Sequence, residues 1–273
     1  MVGSMVVQMT TVELNGVSKV FQKPGELPED LFRNVDLSLA PQRFAALIGP
    51  NGSGKTTLLN VIAGLVEPTR GSVEIFGGRM PNPTFGYVWQ NYRDALLPWF
   101  TVEDNIALPL RARGESWQFG RDRARALLQE FLPDVAENAK PYELSGGQQQ
   151  LVSLLRAIVL SPDVLLLDEP FSSLDQHRSW NAALYVERIW SQHQVPVLFV
   201  SHDVDEAVLL ADDVFLLSRW HRGIVGRVTN LLPRPRTLDM LTNARHVECR
   251  NKIIDFLRSE SNDGCRTEAN WEK

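Results

Sequence analysis

Hydrophobic and polar residues alternate at 11–14 and again at 35–39, the two-residue period of strands with one buried face. Phe44-Ala45-Ala46-Leu47-Ile48 differs, being apolar throughout and stopping abruptly at Gly49-Pro50-Asn51-Gly52. An unbroken run of that length predicts a strand buried on both faces, as in a parallel sheet. Behind it, Leu58, Leu59, Ile62 and Val66 recur at helical spacing over 55–66. Short strands are expected at 72–76 and 87–89. The middle of the chain then turns helical, with amphipathic segments at 102–110 and 122–131 and a more apolar one at 148–160. Strand patterns return at 164–167, 197–200 and 214–217, with a helix at 178–192 between the first two. Beyond Arg219 the pattern is less regular, punctuated by Pro233 and Pro235, with an amphipathic helix at 244–257. Strand–helix alternation around a helical insertion predicts an α/β fold. No repeat or sustained heptad pattern points to a solenoid or a long coiled coil.

Composition narrows the classes further. At 273 residues the chain suits one large domain or two small ones. Its 28 Lys and Arg against 33 Asp and Glu give a net charge of −5, which argues against a broad nucleic-acid footprint. No apolar run approaches the ~20 residues that span a bilayer. The opening Met1 to Val7 lacks the basic n-region of a signal sequence. Two cysteines, Cys249 and Cys265, make no disulfide framework, so a reducing compartment is expected. Arginines gather at 111, 113, 121, 123 and 125, and five more fall without an acid between Arg219 and Arg236. Such runs read first as solvated faces, and second as contacts to anionic headgroups.

The chemistry begins where the apolar strand stops. Gly49-Pro50-Asn51-Gly52-Ser53-Gly54-Lys55-Thr56 fits the phosphate-binding pattern G-x-x-x-x-G-K-[ST]. Glycines let the backbone turn tightly and aim N–H groups at phosphate oxygens, and the helix behind adds its positive end. Lys55 is expected to reach the β- and γ-phosphates, and the Thr56 hydroxyl to ligate Mg²⁺. At 164–169, Val-Leu-Leu-Leu-Asp-Glu is an apolar strand ending in two acids. It delivers Asp168 to the carboxyl edge of the sheet, where it can hold Mg²⁺. Glu169 follows and can accept a proton from an attacking water. A phosphate loop with one acid would suit a kinase or GTPase equally well; the second acid favours hydrolysis. No Asn-Lys-x-Asp guanine motif occurs, since Asn251-Lys252-Ile253-Ile254 lacks the acid.

Leu144-Ser145-Gly146-Gly147-Gln148, ahead of that acidic strand, is not a general feature of phosphate loops. With it, the stretch from Thr11 to about Arg219 resembles the ATP-binding cassette family, the nucleotide-binding subunits of ABC transporters. Gln90 matches the family's Q-loop glutamine, Ser172-Ser173-Leu174-Asp175 its D-loop, His202 its switch histidine, and Phe21 the aromatic that stacks on adenine. The resemblance implies a RecA-like P-loop NTPase core with an N-terminal antiparallel β subdomain. A helical subdomain would be inserted at about 91–160, and residues 220–273 would form a tail. It implies ATP and Mg²⁺ as cofactors, with Glu169, His202 and Gln90 in catalysis and Thr56, Gln90 and Asp168 around the metal. Phe21, Gly49 to Thr56 and Thr57 would bind the nucleotide of their own subunit. Ser145, Gly146, Gly147, Gln148 and Asp175 would meet the ATP of a second ATPase subunit, identical or related, in a head-to-tail dimer. Where the family commonly carries a basic residue after its run of glutamines, this chain has Leu151; that puts helix surface contacts in question, not the phosphate-facing residues.

Several kinds of cassette fit that frame. Maintenance ATPases need a long coiled-coil insertion, and translation-type factors usually carry two cassettes, whereas one phosphate loop is present here. The segment Leu96-Leu97-Pro98-Trp99-Phe100-Thr101 with Val102 to Ala107 is similar to that after the Q-loop in nitrate, sulfonate, taurine and bicarbonate uptake ATPases. The 201–207 segment and Pro233-Arg234-Pro235-Arg236 match the same group. The resemblance implies an importer subunit, peripheral on the cytoplasmic face of the inner or plasma membrane. Its partners would be transmembrane permease subunits and, indirectly, a solute-binding protein, with no nucleic acid. An ATPase of a lipid or drug exporter, or a soluble non-transport cassette, is the alternative. Leu96, Leu97, Trp99 and Phe100 around Pro98 form an apolar loop expected to dock the permease.

Overall fold

A computed structural model of the chain describes residues 10–22, 28–78, 83–91, 95–172 and 174–261. Met1 to Val7, Ser173 of the expected D-loop and Cys265 lie outside them. The alternation at 11–14 and 35–39 belongs to two longer strands, β1 (Thr11–Phe21) and β2 (Glu29–Leu39). They pair antiparallel, Leu14 opposite Leu37 and Val17 opposite Val35, which collects their apolar side chains. The run at 44–48 is β3 (Phe44–Ile48), buried at every residue. Helix α1 (Lys55–Ile62) follows and ends earlier than its apolar spacing predicts. Gly64, at φ 70°, turns the chain out of the helix before Val66. β4 (Arg70–Phe76) then pairs with β1, giving a three-stranded antiparallel sheet in the order β2-β1-β4.

A second sheet carries the site. After β5 (Phe85–Val88) come α2 (Val102–Ala112), α3 (Trp117–Phe131) and α4 (Gly146–Ile158), the helical insertion. Helix α3 starts before the expected 122 because the Ser116 side chain accepts from Phe119 N, a cap ahead of the apolar stripe. The chain re-enters the sheet as β6 (Val164–Asp168), passes through α5 (Gln176–His193), and continues as β7 (Val197–Val200), α6 (Val204–Leu210) and β8 (Asp213–Ser218). The strand order is β5-β6-β7-β3-β8-β9, parallel except for β9 (Gly223–Thr229). The expected RecA-like core, antiparallel β subdomain and helical insertion are all present.

The irregular tail is a correction. Gly223 and Gly226 mask the strand pattern of β9, yet it pairs antiparallel with β8. The boundary expected at 219 therefore falls in the turn between two paired strands. Helix α7 (Ala244–Ser261) then packs on α6 and the sheet, burying His246, Cys249, Ile253 and Phe256. Alternate residues of the central strands serve two cores. Ala45, Leu47, Leu166 and Leu198 face α1 and the β1–β2 pair, whereas Phe44, Ala46, Leu165 and Phe199 face α2, α4, α5, α6 and α7. Leu151 lies buried in the second of these, so its position is interior and not the surface contact expected of a basic residue there.

The arginine runs also need correcting. Arg121 pairs with Asp104 at 2.8 Å, and Arg125 with Glu103 at 2.8 Å and Glu137 at 3.0 Å. Arg234 and Arg236 each reach Asp212 at 3.1 Å, Arg234 also pairs with Glu187, and its guanidinium stacks 3.9 Å from the Trp190 ring. Arg236 is fully buried. The partner acids come from distant segments, which a local window cannot register. Arg111 and Arg123 remain exposed.

Candidate active site

The loop between β3 and α1 is built for close backbone approach. Gly52 and Gly54 sit at φ 78° and 97°, which side-chain-bearing residues rarely adopt. A Cβ on Gly49 would lie 2.3 Å from Leu217 O. Gly54 caps α1 with no side-chain hydrogen bond, and the first turn carries no acid. The free N–H groups and positive end of α1 are thus available to an anion. The Ser53 hydroxyl is buried in the same loop without a partner, a polar group of the kind that a phosphate oxygen would satisfy. Lys55 is buried, and its Nζ donates to Gly49 O at 2.8 Å and Pro50 O at 3.1 Å. Burial holds its pKa below the ordinary lysine value, opposed by Glu169 and Asp168. These features fit a nucleotide phosphate chain.

Thr56 and Asp168, far apart in sequence, meet directly: the Thr56 hydroxyl donates to Asp168 Oδ1 at 3.0 Å. Hydroxyl and carboxylate oxygens are hard ligands suited to Mg²⁺. Among the described residues no group of three or more His, Cys, Asp or Glu gathers as a metal site, so phosphate oxygens and water would complete the shell. Asp168 is 2% exposed. Burial pushes its pKa up to about 6, the Thr56 hydrogen bond opposes this, Glu169 adds to it and Lys55 offsets it. Because this value lies above the 3.8 of a free side chain, the folded state holds the proton more tightly. Stability from this group is present at low pH and lost as pH rises through that window. Asp168→Asn is therefore expected to raise the melting temperature of nucleotide-free protein by several degrees at about pH 8. The gain should shrink as pH falls through 6 towards 4. Calorimetry in a chelating buffer checks this, and an equal gain at both ends of the range would refute it.

Three parallel strands deliver the rest. Gln90, Glu169 and His202 follow the carboxyl ends of β5, β6 and β7, which are neighbours in the sheet. Gln90 Nε2 donates to Glu169 Oε2 at 2.8 Å, and His202 Nδ1 lies 3.4 Å from the same oxygen. Glu169 adopts φ 44°, a region uncommon for residues other than glycine and often retained at functional sites. Its N–H donates to Val200 O at 3.0 Å, and the Ser172 hydroxyl donates to its carbonyl at 3.0 Å. The His202 side chain is 57% exposed. Phe21, at the end of β1, is 50% exposed and so no core residue; the Lys19 ammonium sits 5.5 Å from its ring centre.

Other expected site residues stand elsewhere. Ser145 caps α4: its hydroxyl accepts from Gln148 N at 3.3 Å, and Gln148 Oε1 accepts from Ser145 N at 2.9 Å. Ser145, Gly147 and Gln148 line a cleft of about 250 Å³ with Phe131, Arg178 and Tyr185, and none of the phosphate-loop residues borders it. Asp175 caps α5, accepting from Arg178 N at 3.0 Å. In the segment after Gln90, Leu96 is buried and leaves the expected docking loop for the interior, whereas Phe100 is half-buried, packed edge-on to Trp117 at 5.7 Å. Trp99 remains 66% exposed. Asn105 shapes this turn, accepting from Leu97 N at 2.8 Å and donating to Leu97 O at 3.1 Å and Thr101 O at 3.0 Å. Its signal in the sequence is an amide on the otherwise apolar face of α2.

Known proteins resemble this chain in both sequence and fold. The ABC transporter family profile matches residues 32–172. The aliphatic sulfonates import ATP-binding protein SsuB of Bacillus cereus is 36% identical over 246 residues, covering 89% of this chain and 94% of that protein. The bicarbonate transport ATP-binding protein CmpD of Synechocystis is 35% identical, covering 92% and 90%. The nitrate import ATP-binding protein NrtC of Synechococcus elongatus is 37% identical across 89% of this chain, which spans only 38% of that longer protein. A solved dimer of the ATP-binding cassette MJ0796 bound to ADP and Pi superposes with a TM-score of 0.68 at 28% identity, covering 80% of this chain and 98% of that one.

Proposed function

The chain belongs to the ABC transporter family as an ATP-hydrolysing cassette, and from that premise we propose that it drives uptake of a small anionic solute through a separate membrane permease. The observation that carries the solute class is the set of relatives, named for import of sulfonates, nitrate or bicarbonate and matched across at least 89% of this chain. Among the described residues no helix is long and apolar enough to cross a membrane. A peripheral subunit on the cytoplasmic face, under permease chains fed by a solute-binding protein, accords with that. Vesicles holding the cassette with its permease, supplied with the solute-binding protein, test the reading. Hydrolysis stimulated by nitrate, an alkanesulfonate or bicarbonate is expected; stimulation by lipid or hydrophobic drugs alone would point to an exporter.

In this reading Gly49 to Thr57 cradle the phosphates, Lys55 neutralises their charge, and Phe21 stacks on adenine. Thr56, Asp168 and Gln90 would hold Mg²⁺, which when bound with ATP offsets the charge on the transferring phosphoryl group. Glu169 accepts the proton of the attacking water, while Gln90 and His202 fix its carboxylate and orient the water and γ-phosphate. Ser145, Gly147 and Gln148 line a cleft that none of their own phosphate-loop residues borders, and together with Gly146 and Asp175 they act on the ATP of a second subunit.

Trp99 is the anchor for the permease in this scheme. It projects from a turn pinned by Asn105 and by Lys140 Nζ, which donates to Trp99 O at 2.9 Å. Exposed aromatics on rigid supports commonly dominate interfaces. Trp99→Ala should weaken permease association about tenfold or more and abolish solute-stimulated hydrolysis, with basal ATPase and melting temperature unchanged. Co-purification and a thermal melt together decide it; a sharply lowered melting temperature would return Trp99 to the core.

A further inference from the structure

His202 lies between two residues tied to the first turn of α6. Asp203 N donates to the Ser201 hydroxyl at 2.9 Å, and that hydroxyl donates to Glu206 Oε2 at 2.9 Å. The Asp203 carboxylate in turn accepts from Asp205 N at 2.8 Å and Glu206 N at 3.0 Å. The orientation of α6 thus sets the loop that carries His202. That first turn is gripped from outside by the C-terminal helix. His246 Nε2 lies 3.1 Å and Arg250 Nε 2.9 Å from Asp205 Oδ1. A carboxylate only accepts, so His246 donates from Nε2.

The identity of His246 is informative. It is fully buried on the apolar stripe of α7 shared with Cys249, Ile253 and Phe256, where packing alone calls for a hydrocarbon. Its Nδ1 has no partner, and an unpaired buried polar atom has a cost. The Asp205 contact is what the imidazole supplies beyond volume. We propose that α7, through His246, Arg250 and Asp205, positions the switch histidine His202 for hydrolysis. This rests on the reading of His202 as a group that acts on the nucleotide. The three are positioning residues, since none touches the reacting atoms.

Single-turnover ATP hydrolysis by the full chain tests the link. His246→Leu and Arg250→Gln are each expected to lower the rate about five- to tenfold, with ATP KM changed less than about twofold. His246→Gln, which keeps an N–H donor, should recover most of the loss. In a His202→Ala background the same substitutions should have no further effect, because coupled residues are non-additive. Arg250 is partly exposed, its side chain 42% accessible, so Arg250→Gln reads the link even where His246→Leu does not fold. An unchanged rate in Arg250→Gln overturns the proposal. So does an equal loss in the His202→Ala background, or a loss that tracks melting temperature or ATP affinity. Unchanged hydrolysis in His202→Ala alone would overturn the site reading and this inference with it; an intact His202 effect with no effect of α7 overturns the inference only.

Discussion

Glu169→Gln is expected to lose about 10²-fold or more in turnover while still binding ATP. The substitution keeps the length and shape of the side chain, so the strained backbone at φ 44° and its bond to Val200 O are undisturbed. What it removes is basicity: an amide oxygen cannot take a proton from water at neutral pH. The amide also meets Gln90 Nε2, now 2.8 Å from a carboxylate oxygen, which can still donate to the new carbonyl. The nucleotide pocket around Lys55 and Thr56 is not touched. Binding and turnover should therefore separate, and ATP should accumulate on a closed dimer. Phosphate release, ATP affinity and sedimentation measure the three quantities; near wild-type turnover would remove Glu169 from the role of base.

Lys55→Ala is expected to fail in another way, weakening ATP affinity about 10²-fold or more. The ammonium is buried and donates to two loop carbonyls, so its loss removes the charge and leaves Gly49 O and Pro50 O without that donor. Ser145→Arg should leave the phosphate loop intact yet place bulk and charge at the cap of α4. Neither pure variant should hydrolyse ATP. Mixed one to one, half of the dimers should pair unlike subunits, each with one intact composite site, restoring about a quarter of the wild-type rate. No recovery on mixing, or a Ser145→Arg protein active on its own, would argue that each subunit works alone.

The parts of this molecule legible in sequence are those whose geometry is local. The turn from β3 into α1 needs glycines at given spacings, and β6 announces itself as an apolar run ending in acids. The convergence of Gln90, Glu169 and His202 is not local. It follows from β5, β6 and β7 lying side by side in parallel, which places the residues just past their ends on one edge. Family resemblance supplied those three names; the strand order supplies the reason. Ser116 caps α3 ahead of its apolar stripe, so the helix begins five residues before the 122 that periodicity alone predicts. Arg234 and Arg236 looked like surface charge because Asp212 and Glu187 lie far back in the chain.

That arginine pair bears on where the molecule can be cut. Asp212 N and Oδ2 are bonded to the main chain of Phe44 at 2.6 and 3.1 Å, at the root of the strand that leads into the phosphate loop. Asp212 and Glu187 are both buried, and both draw their cations from beyond Arg219. A fragment ending at 219 would carry every nucleotide-site motif yet strand two interior carboxylates without their cations. Leaving a buried charge unpaired costs about 3–5 kcal/mol, against a folding margin of about 5–15 kcal/mol. The shortest expressible cassette is therefore longer than the stretch that identifies it, and fusion partners or affinity handles belong past the end of α7.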